Sequence, residues 1–215
     1  MQNEISPDEI EHILKNRIPK PIGKYLHASV MVLLFPVNGR LHILFSKRSL
    51  QLKHQPGDIC FPGGRQEGNE TPLETALRET WEELGIPSHC IQVLGQTDYI
   101  ITTAGAIVTP FVGYVRNVSI DDIPFNSDEV EDIFTVPISY FKETEPEIHY
   151  LYLQPTTEDD FPYEYIFGGK EYPFARPKVP ELFYHYCGKV IWGMTAMITH
   201  HVVNLLYPSN ASQNF

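Results

Sequence analysis

The sequence predicts one domain of the α/β or α+β class. Its 215 residues, 42% of them hydrophobic, are enough to build a substantial core. Three stretches with helical signals alternate irregularly with a hairpin and short apolar runs, an order unlike a repeating βαβ array. No internal repeat, low-complexity tract or convincing linker divides the sequence, so we expect a single domain over residues 1–215.

The first expected element is a short helix near the N-terminus. Ser6 and Glu9 form a capping box around Pro7, a residue that suits the first helical position. We therefore expect a helix over about 6–17, packed on the domain.

A β-hairpin is expected next. Residues 27–35 are β-branched and apolar, an Asn-Gly pair supplies the turn, and residues 41–48 form a second strand that ends near Arg48. The following stretch, 49–64, contains two Pro-Gly steps, which are typical of a loop.

The second helix is marked at both ends. Thr71 and Glu74 form another capping box, apolar side chains recur at helical spacing, and Gly85 stands where a C-cap glycine belongs. The helix is therefore expected over about 72–84. Further strands are expected at apolar or alternating runs over 91–94, 107–115, 148–153 and 163–167.

A third helix is expected over about 188–206, packed on the domain. His200, His201 and Asn204 interrupt its apolar stretch, and polar residues are costly at the centre of a membrane. The sequence therefore predicts a buried helix rather than a membrane span.

Charge and cysteine content limit the function classes. With 16 Lys and Arg against 27 Asp and Glu, the formal charge is -11, which argues against a nucleic-acid partner. The three cysteines lack Cys-x-x-Cys spacing, so neither a disulfide framework nor a zinc knuckle is indicated. The N-terminal residues lack the features of a signal or transit peptide, and we expect a cytoplasmic protein.

Three glutamates crowd one face of the second helix. At about 100° per residue, Glu79, Glu82 and Glu83 lie within an arc of about 100°. One explanation is a solvated acidic face, partly offset by Arg78, because like charges at this spacing cost little in water. The other is an all-oxygen site for Mg²⁺ or Mn²⁺, favoured by the glycine pair that ends at Gly64.

The spacing of these residues resembles the Nudix box. Gly64 and Glu70 are followed by RETWEELGI, which begins at Arg78, and the departure from the pattern is Thr80, at a position that is usually aliphatic. The resemblance implies a Nudix-type α/β/α sandwich around a mixed β-sheet. It also implies hydrolysis of a nucleoside diphosphate linked to another group.

The resemblance further implies roles for individual residues. The implied ligands of Mg²⁺ or Mn²⁺ are the Gly64 carbonyl and the carboxylates of Glu79, Glu82 and Glu83. Arg78 would hold these glutamates by ion pairing and, with Glu82 and Glu83, forms the catalytic set. Glu70 would be structural or an outer ligand, and Gly85 is structural.

A stretch before the acidic helix resembles one branch of the same family. LFSKRSLQLKHQPGDICFPGG, residues 44–64, is similar to an additional motif of the coenzyme A pyrophosphatase branch, with mild departures at Phe45, Ser46 and Lys53. IWGMTAMI, residues 191–198, resembles a helix of that branch. The implied reaction cleaves the pyrophosphate of coenzyme A or its derivatives to 3′,5′-ADP and 4′-phosphopantetheine. ADP-ribose or NADH as substrate, and a non-catalytic nucleotide sensor, are the alternatives.

Positive charges cluster in and beside this stretch, at Lys47, Arg48, Lys53 and Arg65, against one acid. Such an island suits the 3′-phosphate of coenzyme A, although capping of a strand end is an equal alternative for Lys47 and for Arg48. His54 is a further candidate contact, and simple exposure explains it as well.

Glu129 is the candidate general base. NSDEV, residues 126–130, resembles a downstream segment of the same branch whose glutamate approaches the metals, although an ordinary acidic loop is an equal alternative. The expected partner is a small molecule, with no nucleic acid and no membrane. The aromatic residues between 140 and 186 suit either an acyl pocket or a homodimer contact.

Overall fold

The structure is a computed structural model that describes residues 5–208. Its helices are α1 (Pro7–Lys15), α2 (Pro72–Leu84), α3 (Ile138–Glu143) and α4 (Gly193–Leu206). Its strands are β1 (Leu26–Val37), β2 (Arg40–Arg48), β3 (Ile59–Cys60), β4 (Gly63–Arg65), β5 (Ile91–Gln96), β6 (Ile100–Ile101), β7 (Ala106–Val115), β8 (Val130–Pro137), β9 (Glu147–Tyr152), β10 (Lys178–Tyr186) and β11 (Lys189–Trp192).

Eight of the strands form a mixed sheet. Its order is β3-β2-β1-β7-β5, with β4 beside β1, β6 beside β7 and β8 beside β2. Strand β1 runs parallel to β7 and antiparallel to β2. Strands β9, β10 and β11 form a second, antiparallel sheet.

Strand β1 explains why the molecule has three layers. Its side chains alternate between the two faces of the sheet. Met31 and Leu33 join the hydrophobic cluster under α2, whereas Val32 and Leu34 join the cluster that contains residues of α3, α4 and β10. A strand buried on both faces requires a covering layer on each side. The α/β/α sandwich around a mixed sheet is therefore confirmed, with the small sheet added to one outer layer.

Helix α1 begins where the sequence predicts. The Glu9 amide donates to the Ser6 hydroxyl, and the Glu9 carboxylate accepts from the Ser6 amide. However, no residue of α1 is buried, and Ile10, Ile13 and Leu14 are exposed. The structure therefore does not show the expected packing of this helix on the domain, because other elements already cover both faces of the main sheet.

The C-terminal helix is shorter than expected. The first residues of the predicted range 188–206 form strand β11 instead of a helical turn. Cys187 and Gly188 adopt positive φ angles of 47° and 76° and join β10 to β11 in a two-residue hairpin. This turn matches the twist of the paired strands, so the chain returns as a strand before α4 begins.

Helix α4 is buried against the second sheet, as the sequence predicts. Ala196, Ile198 and Val202 belong to the same hydrophobic cluster as Leu182 and other residues of β10. Within the described part of the chain, no helix has the length and apolar character needed to cross a membrane.

One expected strand is absent. Residues 163–167 form a turn of 3₁₀ helix over Tyr163–Tyr165, and both Tyr165 and Phe167 are highly exposed. The aromatic content of this run suggested a strand, but the run has no neighbouring strand with which to pair. Strands β8 and β10, by contrast, were not predicted from the sequence, and each pairs with a strand that was, β2 and β9 respectively.

Candidate active site

Two consecutive glycines bring α2 against the main sheet. Strand β4 pairs with β1 so that Gly63 lies beside Val30. A Cβ atom on Gly63 would lie 2.3 Å from the Ser29 carbonyl oxygen, and one on Gly64 would lie 2.3 Å from Oε1 of Glu79. Side chains at these two positions would therefore occupy the space used by β1 and by a carboxylate of α2.

Glu83 is a buried carboxylate, with 5% of its surface exposed. Its Oε1 accepts a hydrogen bond of 3.4 Å from the Gly63 amide. Burial raises the pKa of Glu83 to about 8, and the charges of Glu79 and Glu129 raise it further, while the Gly63 amide and Arg48 oppose the shift. Without a bound cation, this site therefore disfavours the charged form of Glu83.

Glu79 lies next to Glu83 and has a similar environment. Burial is the main cause that raises the pKa of Glu79, and the charges of Glu82 and Glu129 add to it. The guanidinium of Arg78 acts in the opposite direction. The carboxylates of α2 therefore repel one another in a partly buried site, and a bound cation would relieve this repulsion.

Arg78 connects the acidic residues of the site. Its Nη1 donates to Glu79 and to Glu82, both at 2.9 Å, and its Nε donates to Glu70 at 2.7 Å. Its Nη2 also donates to the Arg65 carbonyl at 2.9 Å. A planar guanidinium with five donors can contact three carboxylates at once, whereas an ammonium group lacks this geometry.

Glu70 anchors Arg78 from the loop before α2. Its carboxylate also accepts hydrogen bonds from the Thr75 hydroxyl at 2.9 Å and the Glu67 amide at 3.1 Å. The hydrogen bonds from Arg78, followed by that from Glu67, lower the pKa of Glu70 to about 2. Glu70 therefore stays ionised and forms an ion pair with Arg78.

The remaining glutamate of α2 lies at the outer side of the site. The Glu82 side chain is 48% exposed and contacts Arg78. The helix ends at Gly85, whose φ is 63° and whose amide donates to the Trp81 carbonyl at 2.8 Å. The C-cap glycine is therefore present as the sequence predicts.

The loop before β8 brings Glu129 to the buried carboxylates. The Asn126 amide donates to the Glu83 carbonyl at 2.8 Å, and the Ser49 amide donates to the Glu129 carbonyl at 2.9 Å. After burial, the main cause, the charge of Glu129 is one of those that raise the pKa of both Glu79 and Glu83, so Glu129 lies within electrostatic range of them. Three acids from two separate segments thus share one site.

The four residues predicted to contact the substrate differ in burial. Arg48 is half-buried, its charge lowers the pKa of Glu83, and its Nε donates to the His54 carbonyl at 3.4 Å. Lys53, His54 and Arg65 are exposed. The structure therefore brings Arg48 to the carboxylates and leaves the other three side chains on the surface around them.

A cavity of about 590 Å³ lies beside this site, on the face of the main sheet that carries α4. Its walls include Lys47, Ile59, Phe183, Lys189 and Trp192. Lys189 and Trp192 were not identified as site residues from the sequence. The signal was present in the IWG run, but that run was assigned to a helix instead of to β11.

Comparison with known proteins establishes the family. The NUDIX domain model matches residues 25–155. The chain belongs to the Nudix family of hydrolases. Nudix hydrolase 3 of Caenorhabditis elegans is 32% identical over 94% of this chain and 86% of its own length. The resemblance of the acidic helix to the Nudix box is thereby confirmed.

The names of two relatives in this family state a substrate. Peroxisomal coenzyme A diphosphatase NUDT7 of Mus musculus is 38% identical over 57% of this chain and 50% of that protein. Mitochondrial coenzyme A diphosphatase NUDT8 of Homo sapiens is 30% identical over 84% of this chain and 70% of that protein. The chain thus spans about half the length of the mouse relative.

Nudix hydrolases generally use divalent metal ions, and the chemistry of this site is compatible with such ions. Across residues 5–208, no three His, Cys, Asp or Glu side chains are grouped so that they could hold a metal ion, and Arg78 contacts both Glu79 and Glu82. The available donors are nevertheless all oxygen atoms, and the pKa of both Glu79 and Glu83 is raised. Hard divalent cations prefer such donors.

Proposed function

We propose that the protein hydrolyses the pyrophosphate bond of coenzyme A or its derivatives, with Mg²⁺ or Mn²⁺, to 3′,5′-ADP and 4′-phosphopantetheine. One observation carries the proposal: Arg48, from the stretch that resembles the coenzyme A motif, lies close enough to lower the pKa of the buried Glu83. The two relatives named as coenzyme A diphosphatases support the same substrate.

The α2 carboxylates have the role of metal ligands in this proposal. Glu79, Glu82, Glu83 and the Gly64 carbonyl would hold the divalent ion. When bound, the ion offsets negative charge on the phosphoryl oxygens and lowers the pKa of water. Arg78 orients the carboxylates through its hydrogen bonds to Glu79 and Glu82, and Glu70 holds Arg78 in place.

The hydrolytic step needs a base and an electrophile. Glu129 accepts a proton from the attacking water, whose oxygen forms a bond to one phosphorus of the pyrophosphate. The bond from that phosphorus to the bridging oxygen breaks, and the bridging oxygen leaves on the other phosphate. Arg48, Lys53, His54 and Arg65 contact the negatively charged substrate around the carboxylates.

The test compares four substrates under identical conditions. Coenzyme A, 3′-dephospho-coenzyme A, ADP-ribose and NADH are incubated with the protein and Mg²⁺ or Mn²⁺, and the products are separated by chromatography. We expect the highest kcat/KM for coenzyme A, with release of 3′,5′-ADP. Faster cleavage of ADP-ribose or NADH would contradict the substrate assignment. If the protein binds these compounds but cleaves none of them, the result would favour a nucleotide sensor.

The remaining expectations are also proposals. The described cysteines are unpaired, which fits a reducing compartment, and we propose a cytoplasmic location even though the two relatives are named peroxisomal and mitochondrial. Cell fractionation tests the location. A homodimer through the aromatic residues between 140 and 186 stays a prediction, and light scattering in solution tests it.

A further inference from the structure

The cavity beside the candidate active site contains a pair of stacked aromatic rings. Phe183 and Trp192 are paired across the β10–β11 hairpin. Their ring centroids are 5.9 Å apart and their planes differ by 10°, so the rings are nearly parallel. Trp192 is 41% exposed although Phe183 covers one side of it. Trp192 also lines the cavity, so part of the indole surface is accessible there to another flat ring, such as a nucleobase.

The same cavity contains two ammonium groups. Lys47 makes no ion pair within the described range 5–208. The Nζ atom of Lys189 lies 2.7 Å from Oδ2 of Asp132 and 4.5 Å from the centre of the Phe134 ring. Lys47 lies directly across from Asp132 in the pairing of β2 with β8, so one carboxylate stands beside two positive charges. An anionic group such as a phosphate is the ligand that this charge pattern favours.

The cavity is connected to the carboxylates through neighbouring residues in the chain. Lys47 lines the cavity, whereas the next residue, Arg48, acts electrostatically on Glu83. Ile59 also lines the cavity, and the pKa of the next residue, Cys60, is raised mainly by burial and further by the charge of Glu83. A β-bulge lies between Lys47 and Arg48, near the end of β2 that pairs with β3. The cavity and the site of hydrolysis therefore meet at this end of β2.

We propose that this cavity binds the 3′-phosphoadenosine end of the substrate, with adenine stacked on Trp192 and the 3′-phosphate held by Lys47 and Lys189. The inference rests on the proposed function, because it assigns one end of coenzyme A to a specific surface. The pantetheine end is a poorer match, since a flexible chain of neutral amides uses neither a stacked ring pair nor two ammonium groups. Lys47 is the one member of the predicted cationic island that lines the cavity.

The first experiment measures binding of the nucleotide end alone. Adenosine 3′,5′-bisphosphate and adenosine 5′-monophosphate are titrated into the full chain by calorimetry. Lys47→Met and Lys189→Met should each weaken bisphosphate binding by about tenfold and change monophosphate binding little. Trp192→Leu should weaken both ligands by about tenfold, and Trp192→Phe should recover most of the loss. Lys170→Met, which removes an exposed lysine outside the cavity lining, is the matched control.

A second variant separates ligand recognition from structural support. Asp132→Asn removes the carboxylate that shares the Lys189 charge, so it should tighten bisphosphate binding several-fold. If the Lys189 and Asp132 pair served only to hold β11 in place, the same change would weaken binding or leave it unaltered. Unchanged binding in the Lys47, Lys189 and Trp192 variants would overturn the proposal.

Hydrolysis measurements distinguish this proposal from the proposed function. If coenzyme A is cleaved and Lys47→Met and Trp192→Leu retain the original kcat/KM, the cavity assignment is wrong and the function stands. If the cavity variants lose bisphosphate binding as expected but the original protein does not cleave coenzyme A, the substrate assignment is wrong and the nucleotide site stands.

Discussion

Glu83 combines a carboxylate with surroundings that disfavour its charge. A neutral Glu83 in the folded state is favoured below its pKa of about 8, whereas the unfolded chain ionises near the usual value of 4.5. The stability contributed by the neutral carboxyl is therefore fully present below about pH 4.5 and is lost as the pH rises towards 8. Above that pH, the metal-free protein carries an ionised carboxylate in a buried site.

Glu83→Gln should therefore stabilise the metal-free protein while abolishing catalysis. The amide keeps the shape and can still accept from the Gly63 amide, but it carries no charge. In EDTA at pH 8.5 we expect a gain of about 2 kcal/mol, or a melting temperature about 4–8 °C higher, and a much smaller gain at pH 5. With metal present, activity should fall by about 10³-fold or more.

The half-exposed Glu82 provides the matched control for this prediction. Glu82→Gln should leave the melting temperature of the metal-free protein within about 2 °C at both pH values, because water already solvates its carboxylate. Equal stabilisation by the two variants would show that general charge repulsion, rather than burial of Glu83, controls the effect.

Arg78 is expected to act by positioning the carboxylates. Arg78→Lys keeps the charge but cannot contact Glu70, Glu79 and Glu82 together, so kcat/KM should fall by about 10–100-fold and the metal concentration for half-maximal activity should rise. Arg116→Lys, at an exposed arginine that follows β7, should change neither quantity. An active Arg78→Lys variant with unaltered metal dependence would contradict this role.

At the scale of elements, strand β4 contains two adjacent glycines, one expected to serve catalysis and the other the fold. A methyl group at Gly64 would meet the end of the Glu79 side chain, which can rotate away, whereas one at Gly63 would meet backbone atoms of β1. Gly64→Ala should therefore reduce kcat/KM by about 10²-fold and lower stability by less than about 1 kcal/mol. Gly63→Ala should lower stability by about 3 kcal/mol or more.

The control for the glycine pair is Gly95→Ala, because a Cβ atom there would contact nothing within 4 Å. Activity and thermal unfolding of the three alanine variants decide the matter. If Gly64→Ala unfolds as readily as Gly63→Ala, the glycine at position 64 serves the fold and its link to Glu79 is incidental.

The elements that the sequence predicted well are those specified by neighbouring residues. The capping boxes at Ser6 and Thr71 lie within one helical turn, so the starts of α1 and α2 were readable from short segments. The crowding of the α2 glutamates on one face was likewise a matter of local spacing. Strand β11 was missed because its hairpin uses Cys187 at positive φ, a residue that does not signal such a turn.

The parts of the site that could not be predicted depend on contacts between distant segments. Trp192 faces the cavity because β11 pairs with β10, and Lys189 reaches Asp132 across a sequence separation of 57 residues. The pattern of neighbouring residues in the sequence does not predict contacts between such distant residues. The partners of Arg78 were only partly readable, because its contact with the Arg65 carbonyl depends on how β4 enters the sheet.

At the scale of the whole molecule, the two terminal helices differ in how they contribute to stability. Helix α4 supplies buried residues to the cluster shared with β10, whereas α1 has none. Burial of apolar surface is the main favourable term in folding. The stability of the domain should therefore depend on α4 and be nearly independent of α1.

A matched pair of isoleucine substitutions tests this difference. Ile198 is 3% exposed and Ile13 is 55% exposed. Ile198→Ala should lower the free energy of unfolding by about 2–5 kcal/mol, because it leaves a cavity in the core, whereas Ile13→Ala should change it by less than about 0.5 kcal/mol. Urea unfolding of both variants measures the difference. A comparable loss in Ile13→Ala would mean that α1 packs on the domain in solution, as the sequence predicts, and that its apolar side chains are covered there.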